Sequence, residues 1–177
     1  MPYCDSPANR DAVSNHLYME LLGQATQYAW FFTPYLMLGD TLLDAFVRAA
    51  QRGVDVRIFV PGVPDKKLAY RMTQSFFRPL LEAGVRIYTY TPGFLHAKAC
   101  LIDDEIGMLG TVNLDYRSLF LHFECNALFY RASLLRDLKQ DFEETLPLCK
   151  EITQQDLRKA LHSRMVDSVL RIISPLC

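Results

Sequence analysis

The sequence predicts an α/β fold, in which a mixed, largely parallel sheet is flanked by helices on both faces. The first observation is length, because 177 residues, 50% of them hydrophobic, can form one buried core and are too few for two. The second is that strand and helix patterns alternate over about the first 90 residues. The third is an amphipathic pattern near the C-terminus. We therefore expect one domain over residues 1–150 and an amphipathic tail over residues 151–177.

Periodicity and capping residues predict the first elements of the chain. Apolar residues recur at helical spacing over residues 11–25, and the aromatic run at 28–33 is typical of a buried strand. A second helix is expected to begin with Asp40 as its N-cap and to end before Gly53. Residues 54–60 then alternate as another strand.

Turn signals divide the rest of the chain into further elements. Asp65 can cap a helix that runs to Phe77, and Pro79 would kink or restart this helix. Later patterns predict a strand at 85–89, a hairpin-like pair of strands around 103–105, a strand at 124–130 and a helix at 133–148.

The predicted tail helix separates apolar from basic residues. Its apolar face comprises Leu161, Met165, Val166, Val169, Leu170 and Ile173, opposite Lys159, Arg164 and Arg171. Such a helix could lie at a bilayer surface, or it could dock on the domain or on a partner protein. A second basic group, Lys66, Lys67, Arg71 and Arg78, is either a solvated helix face or a contact for lipid headgroups.

Composition limits the classes of partner and compartment. A net charge of −1 and a pI near 6.4 give no basic footprint, so nucleic acid is not an expected partner. The five cysteines form no CxxC pair, which favours a reduced, cytosol-facing compartment. No stretch reaches the roughly 20 apolar residues of a membrane-spanning helix, and residues 1–10 do not resemble a signal peptide. Any membrane contact is therefore expected to be peripheral.

The residues that can carry chemistry cluster between positions 96 and 113. On a strand, His96 and Lys98 would project side by side, because residues two apart share a face. A neutral imidazole beside a cation suits nucleophilic attack on a phosphodiester. Asn113 would add an amide donor and Thr111 a hydroxyl, next to Gly110. Together they predict a phosphate pocket that needs no metal ion or other cofactor.

Two carboxylates belong to the same prediction. Asp103 lies seven positions after His96, an odd number, so on an unbroken strand it would face away from the pocket. We expect a structural role for Asp103 in the turn, with catalysis as the alternative. Glu124 could accept a hydrogen bond from the second ring nitrogen of His96, or it could be an ordinary buried carboxylate paired with an arginine or a helix terminus.

This segment resembles the HKD (His-Lys-Asp) signature of the phospholipase D superfamily, and it reads His96-x-Lys98-x4-Asp103-x6-Gly110-Thr111-x-Asn113. Flanking segments at 33–35, 52–57, 64–66, 82–86, 90–96 and 113–118 look like the C-terminal half of bacterial cardiolipin synthases. The similarity covers about residues 5–148. It implies a phospholipase D-like domain.

The resemblance implies a reaction and roles for individual residues. Cardiolipin synthases of this kind transfer a phosphatidyl group from one phosphatidylglycerol to another, through a phosphohistidine, at an anionic membrane surface. By this likeness the catalytic residues are His96, Lys98, Asp103, Asn113 and Glu124, with Gly110, Thr111 and Arg117 as substrate-binding residues. The expected location is the cytoplasmic side of the bacterial cell membrane, with peripheral attachment.

The chain also departs from the family pattern. Such enzymes usually carry two HKD motifs and two N-terminal membrane helices, whereas this sequence has one motif and neither helix. A second HKD half is therefore expected, either from another copy of the chain in a homodimer or from a separate N-terminal half. Two other functions stay open: a single-motif homodimeric phosphodiesterase or nuclease, and a catalytically silent fragment that pairs with a complete synthase.

Overall fold

A computed structural model describes residues 1–8, 11–159 and 164–174. The strands in these ranges are β1 (Pro2–Asp5), β2 (Tyr28–Phe32), β3 (Leu36–Met37), β4 (Asp55–Pro61), β5 (Arg86–Tyr90), β6 (Ala99–Ile102), β7 (Ile106–Gly110), β8 (Leu114–Asp115), β9 (Glu124–Tyr130) and β10 (Cys149–Ile152). The helices are α1 (Val13–Gln24), α2 (Asp40–Gln51), α3 (Lys67–Ser75), α4 (Phe77–Glu82), α5 (Tyr116–Phe120), α6 (Leu134–Thr145), α7 (Gln154–Lys159) and α8 (Arg164–Ile173).

The main sheet has eight strands in the order β1-β9-β7-β6-β2-β4-β5-β10. Only β2, β4 and β5 pair in parallel, and the other five of the seven pairings are antiparallel. The predicted mixed α/β fold is confirmed, but its description as largely parallel is wrong. Alternation of strand and helix gave parallel pairing only where crossover helices join β2 to β4 and β4 to β5. One hairpin, β6–β7, and longer connections gave the five antiparallel pairs.

Helices cover both faces of the sheet, as predicted. One face carries α1 to α4, whose side chains pack with Phe31, Ile58 and Ile87 from the central strands. The other face carries α6, which packs on Trp30 and Phe59 in a separate aromatic layer. The central strand β2 is buried along its whole length, which explains its continuous run of apolar residues.

Several helix boundaries differ from the sequence prediction by one or two residues. Gly39 is the N-cap of α2, so Asp40 lies in the first turn, where its negative charge still faces the positive end of the helix. Gly53 follows the helix with a φ of 91°, a conformation that glycine adopts without strain. The helix predicted from Asp65 to Phe77 is divided into α3 and α4.

The sheet continues past the predicted domain boundary at residue 150. β10 crosses this boundary and pairs with β5 at the edge of the main sheet. α8 contains most of the predicted amphipathic helix, and Leu161 of that pattern lies outside the described residues. Within the described ranges, no helix is both long and apolar enough to cross a bilayer.

The topology brings the ends of six strands to one edge of the fold. The carboxyl ends of the parallel strands β2, β4 and β5 lie there. Antiparallel pairing adds the start of β6, since Phe32 pairs with Ala99. It also adds the end of β7 and the start of β9, since Gly110 pairs with Asn126. This edge carries most of the residues that the sequence analysis selected.

Candidate active site

His96 and Lys98 lie in an extended segment directly before β6, not within a strand as predicted. His96 is exposed and Lys98 is partly buried. The two side chains do not simply point the same way, because the Lys98 Nζ donates a hydrogen bond to the backbone oxygen of His96 at 2.8 Å. Burial lowers the pKa of the Lys98 ammonium group, while the negative charges of Glu124 and Asp115 oppose this decrease. The cation therefore lies within the field of both carboxylates.

Two sets of contacts hold this segment at the sheet edge. The backbone nitrogen of Gly110 donates to the backbone oxygen of Lys98 at 3.2 Å, which extends the β6–β7 ladder by one pair. On the other side, the His96 ring lies 5.5 Å from the Phe94 ring, which lies 6.3 Å from the Tyr35 ring. The aromatic side chains thus connect His96 to the loop that follows β2.

Glu124 is buried at the start of β9 and is held by two hydroxyl groups. Thr111 and Ser118 each donate a short hydrogen bond to one of its carboxylate oxygens. The predicted hydrogen bond from His96 is not among its contacts, and the nearby imidazole is that of His122, whose Nδ1 lies 3.8 Å from the carboxylate. The sequence rule identified a buried carboxylate correctly but assigned it the wrong partner.

His122 and Arg117 form a pair beside this carboxylate. The Arg117 Nη2 lies 3.2 Å from the His122 Nε2. Since a guanidinium group can only donate, the Nε2 atom must accept, and the proton of a neutral His122 is then on Nδ1, facing Glu124. The predicted substrate-binding residue Arg117 is exposed and is therefore oriented by a histidine that lies outside the HKD motif.

Asn113 and Asp115 occupy the loop that leads into α5. Burial raises the pKa of the Asp115 carboxyl group, although hydrogen bonds from the Ser118 amide and the Asn113 side chain oppose the rise. The predicted amide donor of Asn113 is therefore engaged with Asp115. The Oδ1 atom of Asn113 is buried and accepts no hydrogen bond from the described residues.

Gly110 has a steric role. A Cβ atom at this position would collide with the side chain of Asn126 and the backbone of Cys125, and it would lie 2.6 Å from the Asn126 Cα. A side chain here would separate β7 from β9. Gly110 therefore allows the close approach that brings Thr111 to Glu124, which is an indirect contribution to the predicted substrate-binding group.

Asp103 lies at the opposite end of β6 from Lys98. Its carboxylate accepts hydrogen bonds from the backbone nitrogens of Thr26, Gln27 and Tyr28 at 2.7–2.9 Å and from the Thr26 hydroxyl at 2.8 Å. Burial alone would raise the pKa of this carboxyl group, but these hydrogen bonds outweigh burial and hold the pKa below its ordinary value. The geometry agrees with the structural alternative for Asp103 and separates it from the catalytic group.

A cavity of about 400 Å³ is lined in part by the site loop with Asn113 and Arg117, whereas His96 and Lys98 are not among its lining residues. Its polar lining comprises Tyr35, Lys66, Asn113, Asp115, Arg117 and His122, and its apolar lining comprises Met37, Leu68, Ala69 and Met72. Within the described part of the chain, no group of three or more His, Cys, Asp or Glu residues is placed to hold a metal ion. The cavity combines cationic groups with an apolar wall, which suits an amphiphilic phosphate ester.

Sequence reasoning missed His122 and Lys66 as residues of this cavity. His122 belongs to no HxK pattern, and Lys66 was predicted to lie on a solvated helix face or to contact lipid headgroups. The position of His122 two residues before Glu124 could have indicated its role, since alternate residues along an extended chain share a face. Pairing with Arg117 across the short helix α5 could not be read from spacing alone.

Comparison with known proteins identifies the family. Residues 18–146 match the family described as cardiolipin synthase, PLD-like domain. Cardiolipin synthase 2 of Bacillus cereus is 40% identical over 171 residues, which are 96% of this chain and 33% of that protein. The chain spans about a third of the length of the curated relatives it matches.

Solved structures agree on the fold. The phosphatidylserine synthase of Haemophilus influenzae matches 99% of this chain with 45% of its own, at a TM-score of 0.72 and 18% identity. Nuc from Salmonella typhimurium, a phospholipase D family member, matches 87% of this chain with 100% of its own, at a TM-score of 0.69 and 16% identity. At these identities the structures show the fold alone, whereas the sequence match shows that the chain belongs to the PLD-like domain family of cardiolipin synthases.

Proposed function

We propose that this chain is the C-terminal half of a phosphatidyl transferase, which makes cardiolipin from two phosphatidylglycerol molecules through a phosphohistidine on His96. The observation that carries the proposal is the exposed His96, whose backbone oxygen accepts a hydrogen bond from Lys98, at the sheet edge where the loop of Asn113 and Arg117 begins. This loop lines a cationic and apolar cavity. The relatives named cardiolipin synthase support the choice of substrate.

The proposed reaction has two displacements at one phosphorus atom. A ring nitrogen of His96 attacks the phosphorus of the first phosphatidylglycerol, and the bond from phosphorus to the glycerol headgroup breaks. The departing alkoxide takes a proton from a second acid–base group and leaves as glycerol. The same group then removes a proton from a hydroxyl of the second phosphatidylglycerol, whose oxygen displaces His96 and forms cardiolipin.

Lys98 and the cavity residues would support these steps electrostatically. The Lys98 ammonium group is placed to balance the charge that develops on the phosphate oxygens. Arg117 and Lys66 add positive charge along the cavity lining, of which Asn113 is also a part. The apolar wall formed by Leu68 and Met72 suits the first part of an acyl chain.

A second HKD half is part of the proposal, because His96 cannot be nucleophile and proton donor in the same step. The surface near the site offers apolar contacts for such a partner, since Leu121 is 51% exposed and Phe123 is 81% exposed on either side of His122. This half would come either from a second copy of the chain or from a separate polypeptide. The assembly would work at the cytoplasmic surface of the bacterial cell membrane, with this chain attached peripherally.

The test is conversion of phosphatidylglycerol vesicles to cardiolipin, with the product measured by mass spectrometry. In the homodimer case, specific activity rises with protein concentration, and mixing in His96→Ala chains lowers it by more than dilution. In the split-enzyme case, activity appears only when a polypeptide with the first HKD motif is added. A strictly monomeric sample, established by sedimentation, that makes cardiolipin at a concentration-independent rate would refute both.

A second candidate is a homodimeric phosphodiesterase with one motif per chain. The single HKD motif in this sequence is the observation that favours it. The net charge of −1 gives this alternative no strong affinity for nucleic acid. Hydrolysis of bis(p-nitrophenyl) phosphate without any formation of cardiolipin would favour the phosphodiesterase. If neither activity appears in the presence of the first-motif polypeptide, the chain is a silent partner.

A further inference from the structure

Helix α8 presents apolar side chains to the outside of the molecule. Met165 is 78% exposed, Val169 is 53% exposed and Ile172 is 77% exposed. Their spacing of four and three residues places them on one face of the helix. A helix on the surface of a globular domain usually turns such an apolar face toward the core. In α8 this apolar stripe faces outward instead.

The polar residues of α8 instead face the domain. Asp167 is only 4% exposed and accepts a hydrogen bond from the Arg71 Nη2 at 2.6 Å. The Arg78 Nε lies 3.9 Å from its other carboxylate oxygen. Arg171 donates to the backbone oxygen of Ser75 at 3.4 Å. The contact between α8 and the α3–α4 region therefore depends on charged groups, with Leu170 partly packed against the main core.

This ion pair fixes which face of α8 is exposed. Rotating the helix to bury Met165 and Ile172 would remove Asp167 from Arg71 and Arg78 and leave two partly buried guanidinium groups without this carboxylate. A buried charge that loses its partner is strongly unfavourable. The contacts of Asp167 with Arg71 and Arg78 therefore keep the apolar stripe of α8 on the outside.

The surface beside α8 has the same character. Leu68 is 60% exposed on α3, the helix on which α8 packs. The same Leu68 lines the cavity of the candidate site. Lys66 and Lys67 are exposed at the start of α3 and place positive charge beside these apolar groups. Apolar side chains flanked by lysines complement a surface of anionic headgroups over acyl chains.

A groove beside α8 reaches the first residue of α5, next to the site loop. It has a volume of about 560 Å³ and is lined by Ile172 and Arg171 of α8 and by Tyr116, which directly follows Asp115 of the site loop. The outward stripe is therefore not remote from the proposed chemistry.

We propose that the outward face of α8, with Leu68 and the lysines at the start of α3, binds the surface of an anionic phospholipid bilayer. Met165, Val169 and Ile172 enter the boundary between headgroups and acyl chains, while Lys66 and Lys67 contact the phosphates. The choice of a bilayer as occupant rests on the proposed function, whose substrates are bilayer lipids. Asp167 keeps these apolar side chains on the outward face through its contacts with Arg71 and Arg78.

The test is flotation of the full chain with vesicles made of equal parts phosphatidylglycerol and phosphatidylcholine. The double variant Met165→Glu/Ile172→Glu is expected to lower the vesicle partition coefficient by at least about tenfold, because two apolar side chains leave the bilayer boundary. The matched control is Leu134→Glu, a partly exposed apolar residue on α6, on the other face of the sheet. It should partition as the wild-type chain does.

Three further outcomes would overturn the inference. One is equal partitioning of the double variant and the wild-type chain. Another is equal binding to pure phosphatidylcholine vesicles, which would remove the role of the lysines. The third is loss of self-association, or of binding to the first-motif polypeptide, with vesicle binding unchanged, since α8 would then be a protein interface. Circular dichroism and the thermal unfolding midpoint establish that the variants fold.

The failure of this inference can be distinguished from failure of the proposed function. His96→Ala should bind vesicles as tightly as the wild-type chain, because its defect is chemical. If the wild-type chain binds vesicles but makes no cardiolipin with any second half, the catalytic proposal fails and the bilayer surface stands. If transfer occurs and the double variant binds vesicles normally, the bilayer surface is wrong and the catalytic proposal stands.

Discussion

The polar groups at the two ends of β6 differ in how far their hydrogen-bonding capacity is used within the fold. At the C-terminal end, the Asp103 carboxylate accepts four hydrogen bonds, three of them from backbone nitrogens including that of Tyr28. At the N-terminal end, His96 is exposed, burial lowers the pKa of Lys98, and the Oδ1 of Asn113 accepts nothing from the described residues.

The difference shows that one motif can contain both groups whose hydrogen-bonding capacity is used by the fold and groups whose capacity is left for a ligand. A carboxylate whose acceptors are all used stabilises the fold and has little capacity left for a substrate. A histidine, a cation and an amide oxygen with free capacity stabilise the fold less and can act on a ligand. We therefore expect changes at the Asp103 end to lower stability and changes at the His96 end to lower activity.

The largest expected effect is from His96→Ala. Phosphatidyl transfer by the active assembly should fall by at least about a thousandfold, because the proposed nucleophile is removed. The unfolding midpoint should hardly change, since His96 is exposed. Product formation by mass spectrometry and thermal unfolding measure the two quantities. Substantial transfer by a folded variant would contradict the assignment of catalysis to the His96 end of β6.

Asp103→Asn tests the structural half. The free energy of unfolding should fall by about 2 kcal/mol, because the amide replaces a charged acceptor of several hydrogen bonds. Transfer per folded molecule should be unchanged. Urea unfolding gives the stability, with Asp141→Asn on the exposed side of α6 as the matched control, expected to shift it by less than about 0.5 kcal/mol. A stable Asp103 variant without activity would instead assign this residue to catalysis.

The stabilising effect of Asp103 should depend on pH in a defined direction. Its folded-state pKa is lowered, so the effect is fully present above the ordinary carboxyl pKa of about 4 and is lost as pH falls through the lower folded value. The stability difference between wild type and Asp103→Asn should accordingly be constant near neutrality and shrink below about pH 4. Urea unfolding at several pH values measures this. A difference that grows in acid would contradict the assignment.

Glu124→Gln should have a smaller effect, at the functional end. The amide can still accept from Thr111 or Ser118 but loses the charge near Lys98 and His122, so we expect a loss of transfer of about tenfold. The pH–rate profile should shift as well, because the field at these two groups changes. The control is Glu143→Gln on the exposed surface of α6. An unchanged rate and profile would make Glu124 purely structural.

No effect is expected from chelators. In the proposed mechanism, Lys98 and the cavity cations supply the positive charge at the phosphate, so EDTA should leave the rate unchanged. The measurement is transfer in the presence of excess EDTA after dialysis. Inhibition that a divalent ion reverses would mean that the charges at the His96 end are incomplete without a metal.

The sequence predicted the elements of this fold better than their arrangement. Alternating patterns located β4 and β5, and the turn at 103–105 joins β6 to β7 as expected. Strand direction was predicted wrongly because periodicity records which face a residue occupies and carries no information about its neighbouring strand. Five antiparallel pairings follow from connections that local patterns do not determine.

The candidate site shows the same limit at the level of single side chains. Parity along one strand predicted that Asp103 faces away from His96, but His96 lies before β6, and the length of β6 is what separates the two residues. The expected hydrogen bond from His96 to Glu124 was wrong, because the donors to Glu124 are Thr111, directly after β7, and Ser118 in α5. Hydrogen-bond partners across three elements depend on distances that spacing in the sequence does not contain.

The β6–β7 hairpin explains the residue spacing of the HKD motif. Asp103 and Asp104 have φ values of 51° and 60°, the left-handed conformation that matches the twist of two paired strands. The arms on either side bring Lys98 level with Gly110. One inserted residue in either arm would move every later side chain to the other face of the sheet. The spacing between Lys98 and Gly110 is thus set by the length of the hairpin. Because a β-hairpin forms within microseconds, these two parts of the motif can come together early, through a local contact.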